Sequence, residues 1–184
     1  SSFGYYQGSY DVLSVLATLA FDGRREALFS KEFIAAMKML QRDHIQRHQM
    51  LGSWAGAMGQ TQFMPSSYLR YAADGNGDGE KNIWTEHYDV FASIANYLHT
   101  EGWNPNLPWG IEVIVNQPID MALSGTEEGK QRSLSDWQKL GVTVKFLISE
   151  TQQKLTALSQ TDLWLVRPDR ELGRAFLVSN NYRT

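Results

Sequence analysis

A chain of 184 residues carries 17 lysines and arginines against 20 aspartates and glutamates, a net charge of −3. That balance gives no basic footprint and excludes an ordinary nucleic-acid binder, while the lack of cysteine excludes disulfides and a thiol nucleophile. Hydrophobic residues are 42% and charged residues 20%, enough to bury the core of one domain with an appended lobe, and no apolar run reaches bilayer-crossing length.

The opening residues, Ser1-Ser2-Phe3-Gly4-Tyr5-Tyr6, form neither a signal peptide nor a lipidation motif, and the chain reads as a processed or truncated piece. The first half is written for helices. Asp11 to Ala20 sets Val12, Leu13, Leu16, Leu19 and Ala20 on one helical face, and Gly23 stops it. Arg24-Arg25 follows in a loop, suited to holding a carboxylate bidentately or to staying solvated. Ser30 is expected to cap the next helix, with Glu32 in its first turn and Phe33, Ile34, Met37 and Leu40 facing inward. The polar stretch Arg42 to His48 reads as a solvated end. His44 and His48 have the i, i+4 spacing of a shared metal, but no metalloprotease Glu accompanies them, so a solvated helix face is the better reading.

The stretch from Gly52 to Tyr68, Gly-Ser-Trp-Ala-Gly-Ala-Met-Gly-Gln-Thr-Gln-Phe-Met-Pro-Ser-Ser-Tyr, has neither helical nor strand period. Glycine and alanine let backbone approach a ligand. Serine and glutamine supply hydrogen-bonding groups, and Trp54 and Phe63 supply flat apolar faces. A neutral, polar, ring-shaped ligand such as a sugar suits this mixture; a Gly-rich turn between two helices fits it equally.

From Asp74 to Thr85, oxygen ligands at loop positions 1, 3 and 5 (Asp74, Asn76, Asp78), Gly79 at 6 and Ile83 at 10 match a calcium loop of the EF-hand kind. Glu80, at position 7, would add its carbonyl. Thr85 stands where the bidentate Glu belongs, with Glu86 one residue late, so a metal-free Asx/Gly turn is the alternative. Val90, Phe91, Ile94, Ala95 and Leu98 make the apolar stripe of a further helix ending at Gly102.

After Trp103 the pattern changes. Pro105 and Pro108 break helices. Residues 111–115, 142–146, 163–166 and 175–178 read as strands, with a short helix over 135–140 closed by Gly141. The expected organisation is α+β: a mainly helical lobe over 1–103 and a smaller mixed lobe over 104–184.

These residues together resemble the B-type lytic murein transglycosylases, bacterial enzymes that cleave the glycan of peptidoglycan. The resemblance is carried by Phe21-Asp22-Gly23-Arg24-Arg25, by the Gly52 to Tyr68 stretch, by the Asp74 to Trp84 loop and by Ala92-Ser93-Ile94-Ala95-Asn96-Tyr97. It continues weakly from Ser133 to Tyr182. It implies a lysozyme-like helical catalytic lobe with an added β-containing part, peptidoglycan glycan strands as partner, and a periplasmic place, in a soluble or an outer-membrane-anchored form. No cofactor is implied for the chemistry; calcium would be structural. By resemblance, Ser53 and Gln62 bind sugar or position the acid, Met58, Phe63 and Tyr97 line the groove, Arg24 and Arg25 meet carboxylates of the substrate, and Asn181 stands on the far wall.

The family's single catalytic acid is a Glu in a Glu-(Ser/Thr)-x-aromatic-Gly motif. Ser1-Ser2-Phe3-Gly4 matches that motif without its first residue. The Glu is therefore expected directly before Ser1, and the 184 residues alone are expected to be inactive. A non-catalytic glycan-binding module and a hydrolytic lysozyme remain alternatives.

Overall fold

The computed structural model describes residues 4–43, 45–145, 149–170 and 173–184. The backbone divides into two compact units, Ser1–Thr100 and Glu101–Thr184.

The first unit starts with a two-residue strand, β1 (Tyr10–Asp11), that runs directly into helix α1 (Val12–Phe21). Asp11 makes this join. Its Oδ1 accepts the N–H groups of Leu13 and Ser14 at 3.1 and 3.4 Å, satisfying donors that the first helical turn leaves orphaned. Its other oxygen pairs with Arg47 at 2.6 Å. Helix α2 (Glu26–Arg42) begins four residues before the expected cap at Ser30 and starts from Arg25 in the left-handed region at φ 59°.

The inward face of α2 also differs from the sequence expectation. Ala35, Ala36 and Met39 are buried, whereas Ile34 and Met37 are about half exposed, at 55% and 49%. Glu32 is 4% exposed. Its carboxylate accepts the Ser66 N–H at 2.8 Å and the Ser66 hydroxyl at 2.7 Å, capping helix α3 (Pro65–Tyr71) from across the core. The apolar-stripe rule fails here because a buried carboxylate with two donors is a stable core residue, and two alanines leave room for α1 to pack on α2.

The same thing happens on α4 (His87–Thr100), whose buried residues are Asp89, Val90 and Ser93, while Phe91 and Ile94, expected inside, are 68% and 36% exposed. Asp89 is fully buried. Its two oxygens accept the N–H of Gly75 at 2.8 Å and of Asn82 at 2.7 Å, and so close the base of the 74–82 loop. Ser93 Oγ accepts the Ala73 N–H at 3.0 Å. Met39, Met50, Met58, Tyr68 and Ile83 complete the core with Val12 and Leu16 of α1.

The second unit holds a four-stranded antiparallel sheet in the order β4-β3-β6-β5, built from β3 (Gly110–Val115), β4 (Val142–Val144), β5 (Trp164–Val166) and β6 (Ala175–Val178), with helices α5 (Leu134–Lys139) and α6 (Ser149–Leu158). Helix α6 has no counterpart in the sequence reading. Phe146, expected in the β4 strand, and His44, of the histidine pair, lie outside the described residues. Trp137 is wholly buried and donates Nε1–H to the Leu163 carbonyl at 2.9 Å. It anchors a core with Leu158, Leu163, Leu165 and Leu177. Among the described residues, no helix is long and apolar enough to cross a membrane.

On β3, Glu112 accepts from Lys145 at 2.6 Å and from Arg174 at 2.7 Å. These bonds pull its carboxyl down to about 2 from an ordinary 4.5. A carboxylate whose folded pKa is depressed stabilises the fold above its unfolded pKa and loses that contribution as pH falls through the folded value. Thermal unfolding followed from pH 6 to pH 2 should show stability falling between about 4.5 and about 2, and Glu112→Gln should flatten that part of the curve. An unaltered curve in the variant would remove Glu112 as the source.

Candidate saccharide site

The aperiodic stretch of the sequence turns out to be a doubled-back ribbon. Strand β2 (Leu51–Gly52) pairs antiparallel with β1; Gly52 then bridges to Met58, and Met58 to Phe63. The Ser53 N–H donates to the Ala57 carbonyl at 2.8 Å and the Met58 N–H to the Phe63 carbonyl at 2.8 Å. Each residue faces a backbone partner rather than a helix or sheet layer, which is why no periodicity shows in the sequence.

Ser53 and Gln62 are two of the polar side chains that this ribbon carries. Ser53 Oγ accepts the N–H groups of Ala55 and Ala57 at 3.3 and 3.1 Å. Its lone pairs are used, and among the described residues its own proton remains for an acceptor. Gln62 sits in the left-handed region at φ 53°, a conformation that costs a non-glycine residue about 1–3 kcal/mol and is held only when its surroundings over-determine it. Its Nε2 donates to the Gly59 carbonyl at 2.9 Å and to the Gln7 carbonyl at 3.3 Å. Those bonds fix the amide's orientation and leave Oε1 without a partner among the described residues.

The N-terminal segment is strapped across the ribbon. Gln7 Nε2 donates to the Trp84 carbonyl at 3.1 Å, and Gln60 Nε2 to the same oxygen at 3.0 Å. Trp84 in turn donates Nε1–H to the Leu51 carbonyl at 2.8 Å. A side chain on Gly8 would collide with the backbone of Gly52 and Ser53, so the strap lies directly on the ribbon. Gln7 escaped the sequence reading, and Gln60 and Trp84 entered it only within the 52–68 and 74–84 stretches, without roles of their own; glutamine and tryptophan in unperiodic segments carry no spacing signal.

Beside Gln62 stands an aromatic cluster. The rings of Phe63 and Tyr71, Phe63 and Tyr97, and Tyr71 and Tyr97 lie 6.0, 6.0 and 5.0 Å apart, distances at which aromatic pairs attract. Tyr97 is half-buried, Phe63 is 9% exposed, and Met58 is wholly buried. Met58, expected on the groove wall, therefore belongs to the core beneath the ribbon, with Phe63 as the floor under Gln62. Burial first, then the charges of Asp43, Asp89 and Glu80, push the Tyr68 phenol well above its ordinary range; it stays neutral and donates to the Lys81 carbonyl at 2.9 Å.

The remaining expected residues lie elsewhere. Arg24 and Arg25 are exposed in the turn after α1, separated from the Gly52 end by the ten residues of α1, a length of about 15 Å. Asn181 belongs to the second unit and is 4% exposed. Its Nδ2 donates to the carbonyls of Asn104 and Leu107 at 2.8 and 2.5 Å, and its Oδ1 accepts the Asn104 N–H at 2.9 Å. Its amide is spent on clasping the 104–107 turn.

The 74–80 loop is closed on itself. Asp74 accepts the N–H groups of Gly77 and Gly79 at 2.6 and 2.8 Å, bonds that hold its carboxyl below the usual carboxylate value. Asn76 accepts from Asp78, and Asp78 from Glu80. The donor chemistry, hard oxygens and an excess of negative charge, fits calcium. The oxygens are engaged with the loop's own N–H groups, however, and no group of three or more His, Asp or Glu converges among the described residues. A cation would have to displace those bonds.

The profile of the family described as Transglycosylase SLT domain matches residues 1–184. The chain is 43% identical over 101 residues to the membrane-bound lytic murein transglycosylase B of Escherichia coli K12, covering 54% of this chain and 28% of that protein. It is similar to SltB3 from Pseudomonas aeruginosa in complex with NAG-anhNAM-pentapeptide, with a TM-score of 0.83 and 40% identity over 100% of this chain and 47% of that one. It is also similar to the lytic transglycosylase Slt35 of Escherichia coli in complex with calcium, with a TM-score of 0.75 and 29% identity over 99% of this chain and 55% of that one. The chain thus spans about half or less of the relatives it matches. The α+β, lysozyme-like architecture that the resemblance implied is shared with these proteins.

Gly59 is one of the ribbon's steric keystones. Gly59 lies at φ 60°, and a side chain there would meet the Ile83 carbonyl oxygen at 2.5 Å. Gly59→Ala should cost about 1–3 kcal/mol from the left-handed strain alone, measured by chemical denaturation. A variant as stable as the parent would show that the 59–62 turn relaxes without penalty.

Proposed function

The chain belongs to the transglycosylase SLT domain family, and on that premise we propose that its protein cleaves the β-1,4 bond between N-acetylmuramic acid and N-acetylglucosamine in peptidoglycan, leaving a 1,6-anhydromuramyl end. The observation that carries this reading is the pair Ser53 and Gln62 on the ribbon: their side chains are oriented by backbone bonds, and the Ser53 hydroxyl proton and Gln62 Oε1 have no partner among the described residues. Binding groups that need no reorganisation suit a neutral sugar.

The reaction needs one carboxyl group used twice. A protonated Glu gives its proton to the glycosidic oxygen that leaves. Ionised, it then takes a proton from the muramyl 6-hydroxyl, whose oxygen closes onto C1 with no water consumed. One group performs both steps when an apolar, partly desolvated site raises its pKa. By the resemblance of Ser1 to Gly4 to the family motif, the acid would stand directly before Ser1. Gln62 Oε1 would orient a sugar hydroxyl or the protonated Glu, Ser53 would donate to a sugar oxygen, and Tyr97 would offer its ring face, with Phe63 and Met58 as the support beneath. The exposed Arg24 and Arg25 are kept for carboxylates on the substrate. Asn181, clasping its own turn, would act on the second unit's shape. A periplasmic setting follows from a peptidoglycan substrate; both a soluble and an anchored form agree with it.

Activity should appear in a chain extended upstream through the Glu and be absent from residues 1–184 alone. In the extended chain, Gln62→Ala should lower turnover about tenfold or more, because a lost positioning hydrogen bond is worth roughly 1–3 kcal/mol. Mass spectrometry of digested murein reads the outcome. Anhydro ends support the transglycosylase, reducing ends a lysozyme, and binding without cleavage by the extended chain a glycan-binding module. Undiminished turnover in Gln62→Ala would take Gln62 out of the site.

Calcium is proposed as a structural addition, held by Asp74, Asn76 and Asp78 with the Glu80 carbonyl and supplying only a cross-link of the loop. With Thr85 at the last ligand position, affinity should be weak. A modest rise in melting temperature at millimolar calcium is expected, since the ion would bind the folded state alone. An unchanged melting temperature would leave the loop as a self-satisfied turn.

A further inference from the structure

The second unit carries a row of aromatic rings that its core does not use. Alternation along the sheet decides which way they face. Ile111 and Val113 of β3, and Ala175 and Leu177 of β6, go into the core. Glu112 and Phe176, paired across the two strands, therefore lie on the opposite face. There the Phe176 ring is 5.8 Å from that of Trp109, and Trp109 is 6.1 Å from Tyr182. Trp109 is 48% and Tyr182 46% exposed, although tryptophan is highly buried on average. Both exposed rings are firmly mounted. Ser179, wholly buried, donates its N–H to the Trp109 carbonyl at 2.9 Å and its hydroxyl to the Pro108 carbonyl at 2.7 Å. Its own carbonyl accepts the Tyr182 N–H at 3.1 Å. Asn181, which precedes Tyr182, clasps the 104–107 turn leading to Trp109. Two buried polar residues thus hold two open rings in place, the preorganisation a binding surface needs.

The row ends in charge. At one end Arg174 lies over the Phe176 ring, 5.0 Å from its centroid, and joins Lys145 on Glu112, so these charges are spent on one another. At the other, Arg183 follows Tyr182 and lies 4.8 Å over the Trp164 ring. Its guanidinium is in no ion pair among the described residues. A protein partner would need about 800 Å² on each side, with its anchors ringed by further apolar contacts; the Phe176 end is instead closed by ion pairs. A chain of sugar rings suits a row better. The face of an aromatic ring is its negative side, which the C–H face of a pyranose can cover while the sugar hydroxyls stay in water. We propose that this row is a second saccharide surface, which holds an uncleaved glycan strand with its rings on Trp109 and Tyr182 and a carboxylate on Arg183. In peptidoglycan that carboxylate is the lactyl acid of N-acetylmuramic acid. The choice of peptidoglycan as the strand rests on the function proposed above; the row itself involves neither Ser53 nor Gln62.

The test measures affinities of the 184-residue chain by calorimetry for peptide-free NAG-NAM strands and for neutral chitooligosaccharides of the same length. Trp109→Ala and Tyr182→Ala should each weaken both ligands roughly threefold or more, the scale of one aromatic contact. Trp109→Phe and Tyr182→Phe, which keep a ring and are checked for an unchanged melting temperature, should recover most of the affinity. Arg183→Gln should weaken the NAG-NAM strand and leave the neutral oligomer as it was. In a Gln62→Ala background, Trp109→Ala should cost the same factor again, because the two surfaces bind separately. Parental affinity in both alanine variants would overturn the row as a glycan surface and leave a protein as its occupant. Equal losses for both ligands in Arg183→Gln would overturn the carboxylate contact. Full affinity in Gln62→Ala with loss in Trp109→Ala would instead overturn the sugar reading of the ribbon and keep the row.

Discussion

The Met58 N–H to Phe63 carbonyl bond, at 2.8 Å, is the interaction on which the site depends. It closes the short loop that drives Gln62 into the left-handed region and turns its amide onto Gly59. Met58 is wholly buried, so this bond is shielded from water and its loss would leave a buried donor unsatisfied. Everything polar at the site is then a by-product of backbone geometry. Ser53 closes one turn and Gln62 closes the next, and among the described residues each is left with one unused atom. This is preorganisation by hydrogen bonding, with no charged group spent on it.

A second theme is the use of buried polar groups as staples. Asp89 joins both ends of the acidic loop from within a helix, Glu32 caps α3 from α2, and Ser93 holds Ala73. Each spans a long sequence separation and satisfies N–H groups that loops and helix starts leave open. The first unit is therefore tied together at its loops as well as through its apolar core, which lets an irregular ribbon occupy its interior.

Those staples explain where sequence reasoning succeeded and failed. Strand β6 and the short α5 were legible because a short bounded apolar run and a terminating glycine are local signals. The inward faces of α2 and α4 were misread because apolar periodicity treats Glu32, Asp89 and Ser93 as surface residues, while Ile34, Met37 and Phe91 look like core. Helix α6 was missed because its sequence, Ser-Glu-Thr-Gln-Gln-Lys-Leu-Thr-Ala-Leu, carries little apolar patterning. At the site, the family resemblance names Ser53, Gln62, Phe63 and Tyr97 one by one, whereas the 6.0 Å approach of the Phe63 and Tyr97 rings is seen only in the structure. The strap through Gln7 and the shared Trp84 carbonyl could not, since their partners lie 77 and 24 residues away.

That shared carbonyl has a mechanical consequence. The Trp84 peptide plane lies one residue past Ile83, whose carbonyl receives Gln60 N–H, and two residues past Asn82, whose N–H is held by Asp89. Any rotation of the acidic loop about that Asp89 anchor would tilt one peptide plane and release two glutamine side chains together. The loop and the ribbon are thus geared to each other like two wheels on a single axle, with no slack residue between them to absorb a turn.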